Sequence, residues 1–481
     1  MKRLLKNAIE YAQSLGAQYA DARWTCLKSE SISVKNSSVQ GVDSHLDWGI
    51  GVRVLHSGSW GFAANPDVES EERMRTAVER AVNLAKASAR AGDTPLNLAQ
   101  KPVVEDKWAS PFEEDPFEVP LEEKLDLLIS CTEIMDGVEG VALTTGSLDF
   151  HKEQRIFMDS EGSCVEQEVL HSGGGISAMC LLGGEVQVRS YPSNFRGNHR
   201  MAGYEFIREM DLKREAPRLG SEVVQLHTAM SCPEERMDLI LGKSQLVLQV
   251  HESCGHAVEL DRVLGYEANF AGTSFLTLDK RNAFQYGSKK VNLFQDGTSP
   301  QFIGSSKYDD EGVPCSRTDI VKDGVFVGYL KSRDSAEFEN GVSNGAARAQ
   351  GWNHIPIVRM TNVNLAPGEE SLEELISSTR RGMYLTDNSS WSIDDKRWNF
   401  QFGTEIGWLI ENGKITKMVK HPTYTGITPE FWGGCEGIAS EKEWEVWGTP
   451  HCGKGQPMQV ARVGHGVSYA KFSNVRVGVS R

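Results

Sequence analysis

The 481-residue chain has no Cys-x-x-Cys pair, no long apolar run and no excess of basic residues. Its nine cysteines are odd in number and widely scattered, which is typical of a cytosolic protein with reduced thiols. No apolar stretch approaches the length that spans a bilayer, so we expect no membrane segment. Acidic residues outnumber basic ones by 66 to 51, and the net charge of −15 argues against direct nucleic-acid binding, which needs Lys and Arg to neutralise phosphates.

We also expect no secretory signal at the N-terminus. Residues 1–7 include basic residues, but polar residues follow them where a signal peptide would have its apolar core. We therefore predict a cytoplasmic location. The composition, 39% hydrophobic and 24% charged, is that of a globular protein, and the length is sufficient for two or three domains.

Apolar residues at helical spacing predict amphipathic helices, with Ser70 and Ser244 as N-caps of two of them. The predicted helices are 2–15, 70–89, 121–135, 204–213, 244–264 and 371–379. Strand patterns fill most of the remainder, including a hairpin over 47–63. We predict an α+β fold with an N-terminal α/β-type domain over 1–226 and a mostly antiparallel β domain over 227–481 that carries a metal-binding helix. The segment 91–120, rich in Pro, Asp and Glu, is a candidate for a further boundary.

Two glycine-rich stretches have weak functional signals. Gly49-Ile50-Gly51 lies between strand patterns, whereas a dinucleotide fingerprint needs a helix directly after it. The glycines at 173–175 lack the Lys-Ser/Thr of a phosphate loop and run into a strand pattern. We predict a bulge or tight bend at 173–175 rather than a phosphate site.

The strongest signal is at residues 251–256, which read H-E-x-x-x-H. Two imidazoles that hold a metal and an adjacent carboxylate that accepts a proton are the groups a metallopeptidase needs. The familiar spacing is one residue shorter. His251 and His256 are about 140° apart on an ideal helix, so both can reach one ion only if the helix widens as a π-bulge or ends between them. Gly255 is the position where such a distortion is easiest.

Two histidines leave a catalytic zinc site incomplete, because three protein ligands are usual. The candidates for the third ligand are Glu259, Cys254, His354, His421, Cys435, His451, Cys452 and His465. Cys452 is favoured, since Gly453 and Gly455 allow a tight turn and Lys454 supplies positive potential for a thiolate. Cys254 lies inside the motif, where packing is its expected role.

Further stretches carry a family resemblance, and they occur in order through nearly the whole chain. They are residues 49–54, 60–63, 237–241, 251–256, 259–262, 355–362, 409–414 and 452–456. The chain resembles the catalytic subunit of the TldD/PmbA (TldD/TldE) family of cytosolic metallopeptidases, also called modulators of DNA gyrase. It differs from the most studied bacterial branch around His451 and in its Trp-rich C-terminal segments. These differences bear on substrate preference and partner identity rather than on the metal chemistry.

The resemblance implies one zinc ion per catalytic chain, held by His251, His256 and Cys452, with Glu252 as general base. It also implies a homodimer, or a heterodimer with a TldE/PmbA-type paralogue, that encloses the site. Such a shell would admit unfolded or short peptides, for peptide degradation or for leader-peptide processing.

Two other interpretations stay open at the level of sequence. The chain could be an interaction or regulatory subunit without peptidase activity, although such a subunit has no use for Glu252. A structural zinc site would need a fourth ligand, for which Cys254 or His451 is available. Arg262, Arg348 and Arg359 are candidates for binding substrate backbone or carboxylate, but pairing with acidic residues is the more frequent role of such arginines.

Overall fold

The computed structural model describes residues 1–91, 95–194 and 196–478. The first half contains five helices and eight strands within this range. The helices are α1 (Lys2–Ser14), α2 (Glu71–Ser88), α3 (Leu121–Asp136), α4 (Glu205–Met210) and α5 (Leu212–Thr228). The strands are β1 (Tyr19–Lys35), β2 (Ser38–His56), β3 (Ser59–Asn65), β4 (Glu105–Ala109), β5 (Val141–Asp159), β6 (Cys164–Leu182), β7 (Glu185–Tyr191) and β8 (Asn198–Arg200).

Within the described chain, these strands form one sheet in the order β3-β2-β1-β5-β6-β4, with β7 and β8 also paired to β6. All pairs are antiparallel except β4 with β6. Helices α1 and α2 pack on the sheet around Val52, while α3, α4 and α5 pack around Phe150. The periodic apolar residues of each helix therefore face one of two cores on the same sheet.

The second half begins with β9 (Met230–Ser231) and β10 (Glu235–Leu241), which lead into the motif. The motif segment consists of α6 (Lys243–Val250), a π-helical turn (His251–Gly255), a 3₁₀ turn (His256–Val258) and α7 (Leu260–Val263). A connecting region follows, with α8 (Ala268–Ala271), a 3₁₀ turn (Leu278–Lys280), β11 (Leu293–Asp296), β12 (Arg317–Lys322), β13 (Val325–Phe326), α9 (Arg333–Ala336), β14 (Ala347–Arg348), β15 (Ile357–Val358) and β16 (Val363–Leu365).

The remaining elements complete the C-terminal β structure. They are α10 (Leu372–Ser377), β17 (Arg381–Ile393), β18 (Asn399–Glu411), β19 (Lys414–Lys420), β20 (Thr423–Ile427), α11 (Thr428–Gly433), β21 (Cys435–Ile438), a 3₁₀ turn (Glu441–Glu443), β22 (Glu445–Lys454), β23 (Gln459–Val467) and β24 (Ala470–Val477). Strands β17, β10, β24, β20 and β18 pair in this order, and β18 also pairs with β17. This closed ring packs against α6 through a buried apolar core.

The metal-motif helix is fixed to the ring by buried polar contacts. Gln245 donates to the hydroxyl of Tyr424 (2.8 Å), which in turn donates to Gln249 (2.9 Å). Ser244 donates to Asp387 of β17 (2.7 Å). Because buried polar groups of this kind are satisfied only in one arrangement, they set the position of the helix along the ring.

Several predictions from the sequence are confirmed. The helices at 2–15, 70–89, 121–135 and 371–379 are present, and the Ser70 hydroxyl accepts from the amide of Arg73 (3.2 Å) as an N-cap. The hairpin of β2 and β3 is present, and the mixed α+β class with mostly antiparallel sheets is confirmed. Gly49 and Gly51 lie in β2, where a Cβ would overlap Trp352 of the second half.

Other predictions are wrong in detail. Ser244 does not cap α6, whose N-cap is Gly242, and the predicted helix 244–264 is interrupted at Glu259, which is extended. Residues 214–226 are helical in α5, so the predicted boundary at 226 falls in the last turn of that helix. The division into two domains itself stays a prediction.

The triple glycine at 173–175 forms neither a bulge nor a bend. It lies inside β6. On both sides of the glycines, this strand pairs in unbroken register with Gly146–Met158 of β5. A Cβ at each position would overlap a neighbour: the ring of His199, Leu148 and Gly197, respectively. Close packing across the sheet, rather than chain reversal, accounts for these glycines.

No helix among the described residues is both long and apolar enough to cross a membrane.

Candidate metal centre

The two motif histidines come together because the helix widens between them. Helix α6 ends at Val250, and the next turn, His251–Gly255, is π-helical. The ring centroids of His251 and His256 are 5.0 Å apart. Of the two possibilities that the i, i+5 spacing leaves, a widened helix or a helix end between the histidines, the structure has the widened turn. Gly255 has a further role, since a Cβ there would overlap Sδ of the buried Met360.

A hairpin nearly 200 residues later brings Cys452 to the same place. Strands β22 and β23 form this hairpin, and Cys452 pairs with Ala461 across it. The Cys452 Sγ lies 3.5 Å from Nε2 of His256. The ligand atoms of His251, His256 and Cys452 all lie within 4.8 Å of one another, and the three side chains are buried.

This donor set fits a zinc ion. Zn–S and Zn–N bonds of about 2.3 and 2.0 Å place sulfur and nitrogen about 3.5 Å apart in a tetrahedral site. The separation between Cys452 and His256 matches that value. Thiolate and imidazole are ligands that zinc prefers, and three of them leave one corner open, as in catalytic sites.

Electrostatics favours the thiolate form of Cys452. Burial raises the pKa of the Cys452 thiol, but the imidazoles of His251 and His256 and the guanidinium of Arg359 hold that pKa well below its usual value. Arg359 also donates to the Cys452 carbonyl. The expectation that Lys454 supplies this positive potential is wrong, because its ammonium pairs with Asp261 (2.6 Å).

Glu259 orients the second histidine. Its Oε2 lies 2.9 Å from Nδ1 of His256, and its Oε1 accepts from the amide of Met360 (3.2 Å). Burial disfavours the charged carboxylate, but Lys454 and His256 lower its pKa well below the usual value. An ionised Glu259 only accepts, so Nδ1 of His256 carries a proton, and Nε2 is the nitrogen that faces Cys452. Burial opposes protonation of His256, but Cys452 and Glu259 together raise its pKa to about 9, so a metal bound at Nε2 would displace the proton that this nitrogen carries at neutral pH.

Glu252 lines the same open cavity as His251, His256 and Cys452. The cavity has a volume of about 380 Å³ and is completed by Trp391, Ser392, Ile393, Arg397, His451 and Gly453. Oε2 of Glu252 lies 2.8 Å from a guanidinium nitrogen of Arg397. Burial raises the pKa of Glu252, but the two motif histidines and Arg397 bring it below its usual value. The carboxylate is therefore ionised and available as a base.

The other candidates for the third ligand have different positions. Glu259 and His465 contact the outer nitrogens of His256 and His251, and His451 is at the rim of the cavity. Cys254 packs in the core, where it accepts from the Tyr286 hydroxyl (3.1 Å) and burial raises its pKa to about 12. Three candidates lie outside this cavity: His354, His421 and Cys435.

The three arginines that the sequence offered as candidates for substrate binding instead bind other groups of the protein. Arg262 pairs with Glu267 (2.7 Å), and Arg359 donates to the carbonyls of Cys452 and Gln459. Arg348 donates to two backbone carbonyls and lies outside the metal cavity. The arginine that does reach Glu252 is Arg397, which sequence reasoning missed because no pattern links it to a motif 145 residues earlier.

Comparison with known proteins identifies the family of this chain. The family model described as PmbA/TldA metallopeptidase C-terminal domain matches residues 234–479, and that described as domain 1 matches residues 20–85. The chain belongs to the PmbA/TldD metallopeptidase family. A metalloprotease of Methanocaldococcus jannaschii is 30% identical over 445 residues, covering 92% of this chain and 94% of its own length.

Other family members extend the comparison. A zinc metalloprotease TldD homolog of Saccharolobus solfataricus is 23% identical and covers 98% of each chain. Among solved structures, a protein of Thermotoga maritima named as a modulator of a DNA gyrase superposes with a TM-score of 0.77, at 17% identity, over 99% of this chain and 100% of its own. TldE from Thermococcus kodakarensis superposes with a TM-score of 0.71, at 17% identity, over the same shares. The chain thus shares the fold of both structures.

Proposed function

We propose that the chain is a zinc-dependent peptidase in which His251, His256 and Cys452 hold the metal and Glu252 acts as general base. The observation that carries the proposal is the meeting of three ligand atoms, from a helix and a distant hairpin, beside an ionised carboxylate that faces the same cavity. A pure interaction subunit has no need for this arrangement. The family membership and the zinc metalloprotease among the relatives support zinc as the metal.

The residues divide the chemistry between them. A zinc ion bound here supplies a Lewis acid that polarises a peptide carbonyl and makes water more acidic. Glu252 accepts the proton of the attacking water and delivers it to the leaving amine. Arg397 holds the Glu252 carboxylate from one side, so that its second oxygen is left for this transfer. His251, His256 and Cys452 would leave one coordination position of a bound zinc ion free, and all three line the cavity that a substrate carbonyl would enter.

The shape of the cavity supports unfolded or short peptides as substrates. The ligand side chains are at most 5% exposed, so a folded surface cannot reach them, whereas an extended chain can enter the cavity of about 380 Å³. Either peptide degradation or leader-peptide processing is compatible with such a site.

We further propose that the site is enclosed in a dimer, formed with a second copy or with a TldE/PmbA-type paralogue. Trp391 at the cavity is 49% exposed, and Phe270 and Met458, beside the segment after Cys452, are 50% and 52% exposed. Exposed apolar side chains around a site are typical of surfaces that a partner covers. The similarity to TldE makes such a paralogue the first partner to test.

Metal content and peptide cleavage test the proposal together. Wild type should contain about one zinc ion per chain, while Cys452→Ala should contain clearly less. Glu252→Gln should keep the metal and lose most cleavage of an unstructured peptide, followed by mass spectrometry with and without the paralogue. Cys254→Ala is the matched control, since this cysteine lies in the core and should not affect zinc binding. A zinc-loaded Glu252→Gln variant with full activity would overturn the role of Glu252.

A further inference from the structure

A second cavity, of about 390 Å³, adjoins the metal cavity and has no role in the chemistry above. Its wall comes from the N-terminal sheet, the segment 348–354 and the β22–β23 hairpin. His451 lines both cavities, so they meet at this residue. Cys452 pairs with Ala461 across the hairpin, and Arg462 is the next residue. Because side chains alternate along a strand, Arg462 points away from the metal and into the second cavity.

Two arginines of this wall lack an acidic partner. Within the described residues, neither Arg348 nor Arg462 has a carboxylate oxygen within 4 Å. Arg348 donates to the carbonyls of Met360 (2.9 Å) and Arg462 (2.6 Å), and a guanidinium nitrogen of Arg462 lies 3.3 Å from Nε2 of His151. Burial lowers the pKa of each to about 10, so both remain charged at neutral pH. Neither arginine therefore has a direct ion-pair partner, since Glu153 and Asp149 act on Arg462, and Asp310 acts on Arg348, only from beyond 4 Å. Half-buried cations in this situation favour an anionic ligand.

The acidic residues of the same wall are already engaged. Glu153 and Asp310 pair with Arg155 at 3.2 and 3.3 Å, and Asp310 also pairs with Arg23 at 3.5 Å. Asp47 accepts from the indole of Trp352 (3.0 Å). Glu153 and Asp310 therefore pair with Arg155 and Arg23, whereas Asp47 accepts from a neutral indole. None of the three carboxylates lies within 4 Å of Arg348 or Arg462, which remain available to an anionic ligand.

His171 provides an independent sign of a ligand. It lines the cavity, is 5% exposed, and neither of its ring nitrogens has a hydrogen-bond partner among the described residues. Its ring stacks on His151 at a centroid distance of 5.6 Å. Burial lowers the pKa of His171 well below its usual value, so the ring is neutral and has one N–H to donate. A buried donor without a partner is costly unless something binds to it.

We propose that the second cavity binds a carboxylate of the peptide substrate through Arg462 and Arg348, with His171 donating its ring N–H. Planar guanidinium groups match a carboxylate, which can accept two parallel hydrogen bonds. The carboxylate is the C-terminus of the peptide or an Asp or Glu side chain, and the peptide passes His451 on its way to the metal cavity. The identification of the ligand as a peptide rests on the proposed peptidase function. The preference for a carboxylate rests on the residues of the cavity alone.

Peptide binding to the metal-free protein, measured without turnover, tests this proposal. Three unstructured acetylated pentapeptides of otherwise equal sequence carry a free C-terminus, a C-terminal amide, or an amide plus one internal Glu. Titration calorimetry on the metal-free protein should show about tenfold tighter binding of one carboxylate peptide than of the plain amide. The peptide that gains affinity identifies the C-terminus or the side chain as the source. Equal affinity of all three peptides would overturn the proposal.

Variants of the cavity locate the binding. Arg462→Gln should abolish the preference and Arg462→Lys should retain part of it, while Arg214→Gln, a change on the exposed surface, should leave it intact. His171→Phe keeps the ring, removes only the unpartnered nitrogens and should weaken the preference, so it serves as the test if Arg462→Gln does not fold. An unchanged preference in folded Arg462→Gln or in His171→Phe would overturn the assignment. A preference that depends on Arg462, in a protein that cleaves no peptide, would refute the proposed function and leave the carboxylate site standing.

Discussion

His251 and His465 lie ring to ring, with Nδ1 of His251 2.8 Å from Nε2 of His465. The other nitrogen of His465 lies 2.7 Å from the carbonyl oxygen of Val363, which can only accept. His465 therefore carries its proton on Nδ1, and its Nε2 accepts the N–H of His251. This leaves the lone pair of His251 on Nε2, toward the site. Burial keeps the pKa of His465 well below its usual value, so its ring is uncharged at neutral pH and its Nε2 can accept from His251.

Removal of His465 should weaken metal binding without removing a ligand. In His465→Ala the N–H of His251 loses its acceptor, and the ring is free to turn or change tautomer. We expect the dissociation constant for zinc to rise by about 10- to 100-fold, measured by competition with a chromogenic chelator. His45→Ala, at an exposed position on β2, is the control. Zinc affinity equal to wild type would show that His465, held by Val363, does not position His251.

The sequence predicted the local parts of this site well. The i, i+5 spacing of His251 and His256 requires a helix that widens or ends between them, and the structure has a widened turn. Cys452 was favoured from its glycine-rich surroundings, and it lies beside both histidines, although metal ligation itself stays a prediction. The widened turn could be anticipated because helical periodicity is a short-range property that neighbouring residues determine.

The sequence could not predict the contacts that depend on tertiary structure. His465 was considered as a ligand, but it holds His251 from behind, 214 residues away in the chain. Arg397 was not considered at all, since its approach to Glu252 requires β17 and β18 to be in place. The glycines at 173–175 were misread because a crowded sheet and a turn favour the same residue.

Loss of Arg397 should slow cleavage without affecting the metal. Its guanidinium lies 2.8 Å from Glu252, so Arg397→Gln leaves the base unpaired and mobile. We expect kcat/KM to fall by about tenfold or more, a part of the 10²- to 10⁴-fold that a general base contributes. Zinc content should stay at the wild-type value, and Arg397→Lys should recover part of the activity. Arg381→Gln, at the far end of β17, is the control, and wild-type kinetics in Arg397→Gln would contradict the assignment.

The widened helical turn should be sensitive to one added methyl group. In Gly255→Ala the new Cβ overlaps Sδ of Met360, which is fully buried, so the turn or the methionine must shift. We expect a loss of about 1–3 kcal/mol in the free energy of unfolding, measured in denaturant. The double variant with Met360→Ala should be less destabilised than the sum of the single changes. Gly433→Ala, where a Cβ meets open space, is the control, and simple additivity would contradict the proposed overlap.

The buried cation after Cys452 should be important for stability rather than for the thiolate. Lys454 is fully buried, with its ammonium 2.6 Å from Asp261 and 3.6 Å from Glu259. Lys454→Met keeps the side-chain volume but leaves two buried carboxylates without this cation, so we expect a loss of about 3–5 kcal/mol in the free energy of unfolding. Burial already raises the pKa of Asp261, and its protonation relieves the unpaired charge. The difference from wild type should therefore shrink as the pH falls, whereas the exposed control Lys417→Met should show little difference at any pH. A deficit that grows toward low pH would contradict this role of Lys454.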